Sequence, residues 1–141
     1  MDKNELVAEW FRYANMDLNL AKHAFKTMHP IPLEIICYHC QQAAEKYLKG
    51  VIIFFEDEPE KTHDLLRLME VLEKYTKMPI DFFELLNNLT QFAAKARYPQ
   101  LILELDEDIT KRAIAQAEQV KIWAETIIAD KDEQADVNND Q

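Results

Sequence analysis

Apolar residues recur every three or four positions along most of the chain. That is the spacing of one helical face, not the alternation of a strand. Leu6, Trp10, Ala14, Leu18, Ala21, Phe25 and Met28 form such a row and predict a first helix over residues 3–28. His29-Pro30-Ile31-Pro32 ends it, because proline cannot continue the hydrogen-bond ladder and pushes the preceding residue towards extended geometry. Pro32 suits the first turn of a second helix reaching to about residue 55. An acidic turn, Glu56-Asp57-Glu58-Pro59-Glu60, follows. Thr62 is the expected N-cap of a third helix, with Asp64 in its first turn. Leu65, Leu68, Met69 and Leu72 face inward, and the helix ends near Tyr75. Beyond Pro79, Asp81 and Glu84 have the spacing of a capping box for a fourth helix. Its inner face is Phe82, Leu85, Leu86, Leu89, Phe92 and Ala96, and it stops at Tyr98-Pro99. Asp106, Glu107 and Asp108 favour the start of a fifth helix, whose stripe is Ile109, Ala113, Ala117, Val120, Ala124 and Ile127.

Small residues at Ala14, Ala21, Ala43, Ala44, Ala113 and Ala117 would let the first, second and fifth axes approach closely. The predicted class is all-α: an up-and-down antiparallel bundle of four to five helices over residues 1–129. Residues 130–141 are polar, acidic and free of aromatics, so a disordered tail is expected there. Composition agrees. Hydrophobic residues make up 48% of the 141, and the single glycine argues against β-hairpins and Gly-rich phosphate loops.

The formal charge of −10 disfavours a generic nucleic-acid or anionic-membrane binder. The last twelve residues hold five acids and one lysine, which leaves the body at −6 and room for a local basic patch. The start of the chain has no signal-peptide hydrophobic core. The apolar stretch 31–55 is broken by Glu34, His39, Gln41, Gln42, Glu45, Lys46 and Lys49, too polar for a membrane span. A cytoplasmic location is expected.

The second helix concentrates the candidate chemistry. Ile36, Cys40, Ala43, Ala44, Tyr47, Leu48 and Val51 give it a wide apolar surface, the mark of a central helix. His39, Gln42, Lys46 and Lys49 follow 3, 4 and 3 residues apart and fall in one row. An unpaired buried charge is costly, so this row must face a partner, a cleft or water. It could grip an anionic ligand such as a nucleotide phosphate, with Arg97 and Tyr98 supplying a guanidinium fork and a stacking ring. The plainer alternative is that Lys46 and Lys49 lie over apolar neighbours and pair with Glu45 or another helix, while Arg97 answers a carboxylate such as Asp17. His63 would stay neutral within its loop or bond Asp64. Cys37-x-x-Cys40 lies mid-helix, where two small buried hydrophobes fit better than a redox pair or zinc site. No metal or cofactor is expected.

The run Gln41-Gln42-Ala43-Ala44-Glu45-Lys46-Tyr47-Leu48-Lys49 resembles the signature helix of HEPN-domain proteins, small helical proteins often encoded beside minimal nucleotidyltransferases. Trp10, Ala14 and Asp17, then His63-Asp64-Leu65, then Arg97-Tyr98-Pro99 extend the match from about residue 5 to residue 128. The resemblance implies a homodimer that binds a nucleotide-type ligand or RNA, or a separately encoded nucleotidyltransferase, in a toxin–antitoxin-like pair. RNA-cleaving members carry arginine, four to six residues, then histidine. Here none of His23, His29, His39 and His63 stands five to seven positions after Arg12, Arg67, Arg97 or Arg112. Ribonuclease activity by that mechanism is therefore not expected, and no catalytic residue is assigned. The chain also lacks a Gly-Ser and paired-Asp motif for nucleotidyl transfer. A structural antitoxin or scaffold without a ligand is the alternative function, and a ribonuclease lacking the usual arginine–histidine motif is the third.

Overall fold

The computed structural model describes residues 1–98, 100 and 103–139, with side chains apart from those of residues 95–97 and 131–139. Five helices follow in order: α1 (Lys3–Thr27), α2 (Leu33–Phe54), α3 (Leu65–Leu72), α4 (Phe82–Arg97) and α5 (Glu107–Asn139). No strand occurs among the described residues.

The bundle is organised around α2, which packs against each of the other four helices. Most of its residues are buried, including Ile36, Cys40, Tyr47, Leu48, Val51 and Ile52. Apart from its first turn, where Glu34 and Ile35 are exposed, such a helix needs neighbours on most of its sides. The small residues do what their size permits: Ala14, Ala21, Ala43, Ala44, Ala113 and Ala117 are all buried at helix–helix contacts in one core. Gly50 marks a close approach of α1 to α2. A Cβ there would lie 2.7 Å from the Phe11 ring and 3.3 Å from the Trp10 Cβ, so α1 comes closer at this point than any larger residue would allow.

At the helix ends, local signals decide some caps and fail at others. Asp2 caps α1, its carboxylate accepting from the Glu5 amide at 2.8 Å, and Asp106 does the same for Ile109 at 2.8 Å. The cap of α3 is Asp64, which accepts from the Leu66 amide at 3.0 Å. Thr62 instead accepts from the Asp64 amide at 3.1 Å, forming a turn one step before the helix. The expected capping box at Asp81 does not form, because Asp81 already has helical backbone angles and its side chain makes no capping bond. The third helix also stops earlier than expected, at Leu72. Tyr75 is drawn aside, stacking on Phe55 with ring centroids 5.2 Å apart and donating to Asp57 at 2.5 Å.

Three residues of the predicted α1 stripe lie outside the core: Leu6 and Met28 are exposed and Trp10 is half-buried. At the C-terminus α5 continues to Asn139. Ala113, Ala117, Val120 and Ala124 of its stripe are buried. The expected tail concerns residues whose side chains lie outside the described set. No helix of the described residues is long and apolar enough to cross a membrane.

Candidate functional site

The polar row of α2 is organised by two carboxylates. Asp17, on α1, receives His39 and Lys46, one to each oxygen. His39 Nδ1 lies 2.9 Å from Oδ1, and Lys46 Nζ donates to Oδ2. A carboxylate can only accept, so His39 carries its proton on Nδ1. Asp17 lies at the margin of the buried face of α1, its side chain 13% exposed, while Lys46 is 24% exposed. The spacing of the helix puts Tyr13 and Leu20, four residues before and three after Asp17, beside it. Tyr13, Met16 and Leu20 are each about half exposed. The Asp17 cluster therefore borders an apolar stripe facing outward.

Glu45, on α2, is the second hub. Its Oε1 accepts from Gln41 Nε2 at 3.2 Å and from His63 Nδ1 at 2.8 Å, and its Oε2 accepts from Lys49 at 3.1 Å. Gln41 Nε2 also donates to the His63 carbonyl at 3.1 Å, tying the loop before α3 to the core helix. Gln42 donates to Gln41 Oε1 at 2.8 Å. Glu45, Gln41 and Lys49 are buried. A charged group is tolerated at such depth only with this kind of complete pairing.

Each ammonium of the row thus has its own carboxylate. The row divides into two clusters in which each ammonium meets one carboxylate, Lys46 with Asp17 and Lys49 with Glu45. Lys46 and Lys49 follow the plainer reading and pair internally. Asp17 is engaged by His39 and Lys46. The Arg97 side chain lies outside the described residues, as does Pro99. His63 bonds Glu45, not Asp64. Glu45 and Gln41 were missed as site residues, although Gln41, Glu45 and Lys49 stand four apart, a signal for one helical row.

The clefts separate the row further. His39, Gln42 and Lys46 line none of the five described clefts. Lys49 lies in a cleft of about 690 Å³ with Trp10, Leu6 and Ile53. Its ammonium is 5.9 Å from the centroid of the Trp10 ring. Tyr98 lines a different cleft, of about 300 Å³, with Lys61, Thr62 and His63. With Nδ1 turned to Glu45, the His63 position left for a ligand is Nε2.

Cys37 and Cys40 are both free and buried. Cys37 lies against Thr110, Sγ to Oγ1 3.6 Å. Burial pushes both thiols above their ordinary range, so little thiolate forms near neutrality. Among the described residues no group of three or more His, Cys, Asp or Glu side chains gathers as a metal site. At pH 8 a thiol-specific disulfide reagent should label neither cysteine at the rate of an exposed thiol. Both should react promptly in 6 M guanidinium chloride. Fast labelling of the native protein would contradict the packing around α2.

The family model of the HEPN domain matches residues 7–127. None of the curated proteins matches the chain. Among solved structures, ST0689, an archaeal HEPN homologue, is similar with a TM-score of 0.70 and 26% identity, over 86% of this chain and 97% of that one. TT1696 from Thermus thermophilus has a TM-score of 0.76 at 21% identity, over 85% of this chain and 96% of its own; that likeness concerns the fold alone.

Proposed function

Since this chain belongs to the HEPN-domain family, we propose that it is a non-catalytic binding module that pairs with a second copy of itself and serves a separately encoded nucleotidyltransferase. The observation that carries this reading is the edge formed by the Asp17 cluster and the exposed stripe of α1. A neutral, hydrogen-bonded polar cluster beside Tyr13, Met16 and Leu20 has the make-up of a protein interface, where aromatic and Met side chains replace free charge. Tyr13 and Leu20 are seven residues apart with Met16 between them, the spacing of a helix seam. A seam of that kind on one helix is met most simply by the same helix of a second copy about a two-fold axis.

Light scattering at about 100 μM tests it. The wild-type chain should have the mass of a dimer, and Tyr13→Glu combined with Leu20→Glu should weaken association by at least about tenfold. Both side chains are half exposed, so the helical circular dichroism should be unchanged. A wild-type monomer at that concentration, or a variant that associates equally well, defeats the reading. Failure to co-purify with a co-expressed minimal nucleotidyltransferase would remove the second half of it and leave a scaffold or antitoxin-like role.

A nucleotide-type ligand is a second reading, favoured by the 300 Å³ cleft rather than by the α2 row. Lys61, His63 and the half-exposed ring of Tyr98 line it together, a cation, an imidazole and a stacking surface. Titration with ATP and AMP, using Tyr98→Ala as control, distinguishes it from a purely protein-binding module.

A further inference from the structure

We infer that the cleft between α1, the end of α2 and the acidic turn after it anchors a basic segment of a partner protein that carries one large apolar side chain. The inference rests on the chain being a binding module and names a contact separate from the α1 stripe. The cleft has about 690 Å³, and Trp10, Leu6 and Ile53 supply its apolar wall. Leu6, expected in the core, is instead 37% exposed here. Four carboxylates, Glu56, Asp57, Glu58 and Glu60, stand around that wall.

The carboxylates are not equivalent. Glu60 is held by Arg67 at 2.6 Å and Asp57 by the Tyr75 hydroxyl at 2.5 Å. Among the described residues Glu56 is reached by Lys3 alone, at 3.8 Å and with its own side chain 79% exposed. Glu58 has no ion pair among the described residues. Of the two lysines that line the cleft, Lys49 is already matched by Glu45; with Glu60 paired to Arg67 and Glu56 to Lys3, Lys61 alone faces the remaining Asp57 and Glu58. An anionic ligand would meet this field unfavourably. A purely apolar one would leave the rim without a counter-charge. A segment with lysine or arginine flanking leucine or a similar side chain satisfies both wall and rim.

Glu56 also ends α2. The amide of Asp57 bonds the Ile52 carbonyl at 3.2 Å and that of Glu56 bonds Ile53 at 2.8 Å, a helix stop of the kind that normally ends in glycine. Glu56 occupies the left-handed position there, with φ 63°, which is unfavourable for a residue with a Cβ.

The test uses a fluorescein-labelled peptide, Gly-Lys-Arg-Leu-Arg-Lys-Gly, titrated with the full chain and followed by anisotropy. Binding should saturate. Glu56→Lys combined with Glu58→Lys should weaken it by about tenfold or more, and replacing the peptide leucine by serine should weaken it as well. No saturable binding, equal binding by the rim variant, or equal binding of the serine peptide overturns the inference. The mass of the rim variant is measured in parallel. A rim variant that stays dimeric while losing the peptide locates the failure in this cleft, and a monomeric wild type that binds the peptide locates it in the α1 pairing.

Discussion

Glu45→Ala should lower the stability of the fold by about 3–5 kcal/mol, read as a shift of the urea midpoint at unchanged slope. The carboxylate is nearly buried, and three side chains depend on it: Lys49, Gln41 and His63. Lys49 has 7% of its surface exposed, and Glu45 is its ion-pair partner among the described residues, so without Glu45 its ammonium stays largely desolvated and loses that direct pair. The Gln41 amide loses an acceptor, although the His63 carbonyl still receives it. Charge, not volume, should dominate the loss. Glu45→Ala combined with Lys49→Met should therefore be more stable than Glu45→Ala alone, since it removes the stranded charge along with its partner. A loss below about 1 kcal/mol for the single variant would mean that the hub is solvated and the pairing incidental.

Gly50→Leu should cost about 3 kcal/mol, at the upper end for overpacking, and Gly50→Ala less. The first added carbon already meets the Phe11 ring at 2.7 and 2.9 Å. That ring cannot simply retreat, because it packs edge-on against Tyr47 with centroids 5.5 Å apart, and Tyr47 is fully buried. For alanine the clash is offset in part by about 1 kcal/mol of helix propensity gained over glycine. For leucine the remaining carbons must push α1 away from α2. Thermal and urea denaturation of the two variants checks the order. Alanine stabilising by the full propensity difference would show that α1 and α2 are not pressed together at this point.

The five helices were readable because each carries its own punctuation. Proline stops α1 before Pro32, aspartate caps α1 and α5, and the apolar period of α2 runs almost unbroken from Ile36 to Ile52. Even the small-residue positions announced close packing. The errors fall where two local options compete. Thr62 and Asp64 can each cap α3, and the choice follows from where the His63 carbonyl is held by Gln41 and Thr90. Leu6 shares the spacing of the stripe, yet Val7 takes the buried position at that turn and Leu6 lines the cleft beside Ile53.

The candidate site was legible only in part. A row of His39, Gln42, Lys46 and Lys49 can be read from spacing, but spacing does not say which carboxylate stands across from each cation. Asp17 is 29 residues from Lys46 in sequence, and His63 is 18 from Glu45. Nothing local links them.

By itself the chain determined its class, its helix order and the burial of its second helix, because periodicity and end signals act within a few residues. Only the tertiary structure decided that the polar row divides between Asp17 and Glu45, that Trp10 and Leu6 open onto an acidic cleft, and that His63 keeps Nε2 free of Glu45. Those outcomes depend on which side chains from distant segments come within about 3 Å, the range at which hydrogen bonds and ion pairs are made.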